Sequence, residues 1–121
     1  MPAAPERAGM LSGELSVETG GSVDVRYTVE NTGEESVELT FRDGGHADCV
    51  VLDGDSEVWR WSEGRMFTMA MGHETVAPGD SLAFEFEWTP STTGEYTVRG
   101  ELRADEEDCR AERTISVESV E

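Results

Sequence analysis

Hydrophobic and polar side chains alternate with a period of two through most of this chain. Val23, Val25, Tyr27 and Val29 alternate with Asp24, Arg26, Thr28 and Glu30. This predicts a strand with one dry face and one wet face, because successive strand side chains point to opposite sides of a sheet. Asn31-Thr32-Gly33 breaks the run. Val37, Leu39 and Phe41 then alternate with Glu38, Thr40 and Arg42 as far as Asp43-Gly44-Gly45, where a hairpin or a crossing to a second sheet can follow. Residues 49–53 form a short apolar strand and Asp53-Gly54 is a hairpin turn signal. Residues 57–61 resume extended structure with Trp59 and Trp61 on one face. The 64–72 segment is hydrophobic without clean alternation, and Pro78-Gly79-Asp80 suits the centre of a type II turn. Leu82, Phe84, Phe86 and Trp88 alternate strictly with Ala83, Glu85, Glu87 and Thr89, the clearest strand of all. A turn over 90–94 leads into Tyr96, Val98 and Leu102, and an acidic loop at 105–108 precedes a last strand carrying Ile115 and Val117.

Eight or so short strands, with turn residues between them and no amphipathic helix, predict an all-β antiparallel β-sandwich. At 121 residues the chain is long enough for one domain with an ordinary core. Residues 1–12 read as a disordered lead-in and 13–121 as the sandwich domain. The first ten residues carry two prolines and no apolar run, so no secretory signal is expected there, and no segment reaches the ~20 apolar residues of a membrane-spanning helix. A cytoplasmic location follows as the expectation. Cys49 and Cys109 are too few for a disulfide framework, and a reducing compartment favours thiols, although one bridge between them is left open.

Charge narrows the function classes. The 27 acidic residues against nine basic ones give a net charge of −18, and every basic residue is arginine. Neither nucleic acid nor an anionic membrane surface is expected as a partner: phosphate neutralisation needs a basic face, and the same charge disfavours an anionic bilayer. Such a charge repels itself in dilute buffer, but molar salt shortens the Debye length to about 3 Å. The surface therefore reads as adapted to concentrated salt, a halophilic acidic protein in which arginine supplies the less strongly hydrated cation.

Candidate chemistry is sparse. His46, Cys49, His73 and Cys109 are the right types for zinc, but they lack the two close ligand pairs of a structural site. Asp53, Asp55 and Glu57 imitate the start of a calcium loop, yet Val58 stands where that loop needs glycine and Gly64 where it needs a bidentate glutamate. No nucleophile elbow, phosphate-cradling loop or His-Glu-x-x-His is present, and only His46 or His73 could serve as a base near neutral pH. The chain reads as non-enzymatic, with no catalytic residue, metal or cofactor.

The unusual stretch is 57–71, which holds two of the three tryptophans, three of the five methionines and two of the nine arginines. Trp59 and Phe67 read as core anchors, with Trp88 and Tyr96 in the same structural role. Arg60, Trp61, Arg65, Met69 and Met71 read as a contact surface, because these residue types are enriched at interface centres.

The same residues carry a resemblance. Val50-Val51-Leu52-Asp53, Glu57-Val58-Trp59-Arg60-Trp61-Ser62, Gly64-Arg65-Met66-Phe67-Thr68, the Pro78-Gly79-Asp80 turn, Trp88 and Gly94-Glu95-Tyr96 into Gly100 together resemble the intracellular proteinase inhibitor family of the BsuPI type. The likeness extends over about residues 14 to 118. It implies an immunoglobulin-like sandwich and inhibition of an intracellular subtilisin-type serine proteinase. Two departures stand out: Cys49 replaces a more usual aromatic residue, and the surface is far more acidic. The resemblance leads to a monomeric inhibitor that presents the 62–74 segment to a protease cleft or its rim, with Met69 or Met71 in the specificity pocket. The alternative is a non-inhibitory immunoglobulin-like accessory module that docks on a partner domain or through an exposed strand edge.

Overall fold

In a computed structural model that describes residues 11–105 and 109–120, the alternating run at Val23–Asn31 is the middle strand of a three-stranded sheet. Nine strands are present among the described residues: β1 (Leu11–Thr19), β2 (Val23–Asn31), β3 (Val37–Phe41), β4 (Ala47–Asp53), β5 (Ser56–Arg60), β6 (Gly72–Val76), β7 (Ser81–Trp88), β8 (Gly94–Leu102) and β9 (Arg110–Val117). All pair antiparallel, in sheets of order β1-β2-β7 and β5-β4-β8-β9, with β3 and β6 as a separate two-stranded ladder. The all-β antiparallel sandwich expected from the alternation is the fold observed. Its inner faces supply Val23, Val25, Tyr27 and Val29 from β2, Leu39 and Phe41 from β3, Val51 from β4 and Val98 from β8, all buried.

The immunoglobulin-like character rests on local geometry as well as layering. Near the start of β8 the Tyr96 hydroxyl donates to the Thr92 carbonyl at 3.0 Å, and its ring packs edge-on to Trp88 at 5.0 Å. A tyrosine that bonds back to the chain a few residues upstream, at the corner where a strand enters the second sheet, is a hallmark of such sandwiches. Trp59 on β5 meets Trp88 on β7 at 6.3 Å, so an aromatic pair bridges the two sheets. Trp88 and Tyr96 are buried in the core and Trp59 packs half-buried against it, whereas Phe67, expected as a fourth anchor, lies half-buried in the 61–71 segment outside the core cluster, because the chain there belongs to no strand.

Both turn expectations hold. The β4–β5 hairpin closes through Gly54 and Asp55 between the paired Asp53 and Ser56, with Gly54 at φ +62°, the region that type II′ turns reserve for glycine. At Pro78-Gly79, Gly79 takes φ +84° and the Asp80 amide donates to the Ala77 carbonyl at 2.9 Å, as a type II turn requires.

Three features differ from the sequence expectation. The lead-in of 1–12 lies outside the described residues as far as residue 10, but Leu11 and Ser12 already belong to β1 and pair with Asn31 and Glu30. β1 itself was not expected, because its inward row is interrupted by Gly13, over which Tyr27 and Cys109 close in. Nor was β6, which has a single buried residue, Val76, and owes its extension to pairing with β3. The acidic loop at 105–108 lies outside the described residues apart from Asp105.

Candidate functional site

Between β5 and β6 the chain leaves both sheets for eleven residues, 61–71, and this loop carries the unusual aromatic, arginine and methionine content. Its first limb is fastened from below by one carboxylate. Asp48, on β4 with its side chain only 4 % exposed, accepts the Ser62 hydroxyl at 2.6 Å, the Ser62 amide at 3.1 Å and the Arg60 guanidinium at 2.9 Å. A buried carboxylate is costly unless its lone pairs are filled, and here Ser62 of the loop, Arg60 at the end of β5 and the Cys49 amide at 2.8 Å fill them. Arg60 is also gripped by Glu57, whose two oxygens lie at 2.9 and 3.2 Å, and by Glu101 at 3.6 Å. The Glu57 hydrogen bond and the Asp48 pair raise the guanidinium pKa further above its ordinary value, against the opposing effect of partial burial. Arg60 is therefore a cation committed to the base of the loop.

Trp61 continues the β5 ladder for one more bond, its amide donating to the Cys49 carbonyl at 2.9 Å. Two turns follow, Glu63 to Arg60 and Arg65 to Ser62, both at 3.1 Å. Arg65 then folds back: its Nε donates to the Trp61 carbonyl at 2.7 Å and its guanidinium lies 4.3 Å from the Trp61 ring centroid. A cation over an indole face is attractive by about 0.5–1 kcal/mol at an exposed site. Beneath it, Trp61 packs edge-on against Phe86 at 5.1 Å and, with its ring tilted by 33°, against Phe67 at 5.7 Å. Phe67 is capped in turn by the Arg103 guanidinium at 5.6 Å, and Arg103 donates to the Gly45 carbonyl at 2.9 Å.

The second fastening is at Thr68, whose carbonyl accepts the Gly44 amide at 2.9 Å. From there only 69–71 run unattached before Gly72 re-enters the fold opposite Phe41 on β3. The methionines lie between these fixed points and face outward: Met66 is 97 % exposed, Met69 87 % and Met71 61 %. The loop thus holds apolar side chains in solvent on a backbone tied at 61–65, 67–68 and 72.

The sequence-derived contact residues divide accordingly. Met69 and Met71 are presented, while Arg65 lies over Trp61 at the surface. Trp61 is half-buried beneath Arg65, and Arg60 is engaged from below. Met66, the most exposed side chain of the group, and Asp48, the carboxylate that organises the base, were not singled out. Met66 belonged to the same methionine cluster. Asp48 carries no sequence signal, because one aspartate among so many acids looks solvated.

The other candidates do not assemble. Among the described residues no group of three or more His, Cys, Asp and Glu side chains could hold a metal ion. The His46 ring stacks on Phe41 at 4.0 Å, His73 is exposed on β6, and Cys49 and Cys109 are both buried and not joined to each other. Burial pushes the Cys49 thiol up to about 12, helped by Asp48 and Glu101. A concavity of about 530 Å³ over β1, β2 and β7 is lined by Glu18, Asp24, Glu85 and Glu87, with Arg26 bonded to Glu85 at 2.7 Å. No helix in the described residues is long and apolar enough to cross a membrane.

Comparison with known proteins gives one family and a set of fold relatives. The family described as BsuPI, intracellular proteinase inhibitor, matches residues 11–107. A search of curated proteins found no match. Among solved structures, the chain is similar to Spo0M, a sporulation control protein from Bacillus subtilis, with a TM-score of 0.56 and 21 % identity over 92 % of this chain and 50 % of that one. It is also similar to part of β-glucosidase 3B from Thermotoga neapolitana, at a TM-score of 0.48 and 18 % identity over 90 % of this chain and 16 % of the enzyme. The chain therefore spans half the length of Spo0M, and at this identity the likeness speaks for the fold alone.

Proposed function

Because the chain belongs to the BsuPI family of intracellular proteinase inhibitors, a family of non-enzymatic proteins, we propose that it inhibits a serine proteinase of the subtilisin type through the 62–74 segment. The observation that carries this reading is the short run 69–71 stretched between the Gly44–Thr68 hydrogen bond and the Gly72–Phe41 pairing, with Met69 and Met71 exposed upon it. A loop already fixed in the shape it presents loses little conformational freedom on binding, which is the main cost of an inhibitory contact. Subtilisin-like clefts accept large apolar side chains. Met69, the more exposed of the two and flanked by the small Ala70, is the side chain assigned to the specificity pocket. Burying it there contributes about 1.5–3 kcal/mol. Met71, Met66 and the Arg65–Trp61 pair form the rim.

The acidic surface fits a partner in concentrated salt, where the −18 charge is screened. The proposed inhibitor is a monomer acting in a salt-rich cytoplasm, the sandwich serving as the rigid mount for the loop. Titration of a subtilisin-type proteinase with the protein in molar potassium chloride tests the proposal. Loss of activity at micromolar inhibitor, weakened at least tenfold by Met69→Asp, is the expected result. Full activity at that concentration overturns it, and a non-proteinase partner recovered by pull-down at high salt favours the accessory-module reading.

A further inference from the structure

The three methionines among the described residues all lie on the 61–71 loop and all are exposed, whereas both cysteines are buried in the sandwich. We propose that Met66, Met69 and Met71 are an oxidation site through which a peroxide converts the loop from an apolar to a polar contact surface. In the step itself a thioether sulfur attacks one oxygen of hydrogen peroxide. The O–O bond breaks, an S–O bond forms, sulfur is oxidised by two electrons and the second oxygen leaves as water, giving methionine sulfoxide.

Among the described residues, preference for the loop over the two thiols comes from where the sulfurs are placed. A cysteine is ordinarily the better target, but only as an accessible thiolate. Cys49 is fully enclosed in β4 and burial holds its thiol protonated, its pKa pushed up to about 12. Cys109 is 6 % exposed. The loop thioethers need no unfolding to be reached, with exposures of 97, 87 and 61 %. None of them supports the core, and the fastenings at Asp48, Gly44 and Phe41 use no sulfur. Oxidation therefore changes the loop's chemistry and leaves the fold standing. A sulfoxide carries a strong dipole that an apolar pocket cannot satisfy, so a surface that docks through these side chains loses affinity when they are oxidised.

The consequence for inhibition rests on the function proposed above, whereas the modification and the polarity change do not. The full-length chain, treated with hydrogen peroxide in molar potassium chloride and quenched, is read by peptide mass for oxygen gained at each loop methionine and by thiol count after denaturation. Retention on a hydrophobic-interaction column and potency against a subtilisin-type proteinase complete the readout. Expected are oxidation of the loop methionines before any thiol is lost, an unchanged near-ultraviolet circular dichroism spectrum, earlier elution, and at least tenfold weaker inhibition. The Met66→Leu/Met69→Leu/Met71→Leu variant, which keeps Met1 and Met10, should shift less in retention than the wild type and hold its own untreated potency. Thiol loss ahead of loop oxidation, or oxidised loops with unchanged retention, overturns the proposal. If the untreated protein inhibits nothing, the inhibitor reading falls, and mass, thiol count and retention still decide the oxidation site.

Discussion

Asp48 and Ser62 are fourteen positions apart, yet one carboxylate accepts both the amide and the hydroxyl of Ser62, at 3.1 and 2.6 Å. A buried residue of the central strand β4 thereby sets where the exposed loop begins. Asp48→Ala removes the acceptor of Ser62 and a partner of Arg60 together. Leaving such donors unmet costs about 2–3 kcal/mol. Equilibrium urea unfolding in molar potassium chloride should show that loss, and limited proteolysis should nick the variant first within 62–71. Wild-type stability in Asp48→Ala would mean the carboxylate is not the fastening it is described as.

The second fastening can be loosened with little effect on the core. A Cβ on Gly44 would stand 2.7 Å from the Thr68 hydroxyl and 3.3 Å from its amide, so Thr68 must move away. Gly44→Ala should release the Gly44–Thr68 hydrogen bond and with it the shape of 69–71. The expected outcome is inhibition weakened at least tenfold with global stability lowered by no more than about 1 kcal/mol, since the site is on the surface. Equal inhibition by variant and wild type would show that loop shape does not limit binding.

How far the sequence carries depends on which force fixes each element. β2 and β7 were legible because burial on one face writes a period of two directly into Val23 to Val29 and Leu82 to Trp88. The hairpin at Gly54 and the turn at Gly79 were legible because positive φ selects glycine. β6 was not, since its conformation is imposed by pairing with β3 and its exposed face leaves no apolar trace. The loop's composition marked it as unusual, and the structure leaves Met69 and Met71 exposed on it. What composition left out was the anchoring: the roles of Asp48, Gly44 and Arg103 depend on segments that meet only in the folded chain, and an aspartate or glycine reads the same in sequence whether it fastens a loop or lies in water.

Alkaline pH should destabilise the fold in a defined window. The Cys49 thiol has an ordinary value of 9.0 and is pushed up to about 12 in the folded chain by burial, then by Asp48 and Glu101. Below pH 9 both states keep the proton and the full stability is present. Between about 9 and 12 the unfolded chain releases it while the folded chain does not, so unfolding binds fewer protons and stability falls by about 1.4 kcal/mol per pH unit. Tyr27, raised by burial and by its hydrogen bond to the Cys109 carbonyl, adds to the fall above its ordinary value of 10.0. Urea midpoints measured from pH 8.5 to 10 should decline in the wild type and decline less steeply in Cys49→Ala. The slopes, not the absolute values, carry the comparison, because the smaller side chain also leaves a cavity. Parallel slopes would remove Cys49 from the account.

Salt should act in the opposite direction. With −18 formal charges and arginine as the sole basic residue type, carboxylates on the outer faces of adjacent strands lie side by side, as Asp24 and Glu87 do across β2 and β7. Like charges directly opposite in a ladder repel, and at about 0.1 M salt the screening length of ~10 Å leaves that repulsion in place. At 1 M it shrinks to ~3 Å and most of the self-repulsion disappears, whereas the short Arg60–Asp48 pair, buried on one side, is screened far less. Melting temperature should therefore climb steeply between about 0.1 and 1 M potassium chloride and then level off. Sucrose, which strengthens burial without screening, separates the two effects: a climb that it reproduces is not electrostatic. A flat profile in potassium chloride would show that the acidic surface is no burden to the fold in dilute buffer, and the reading of this chain as built for concentrated salt would lose its physical basis.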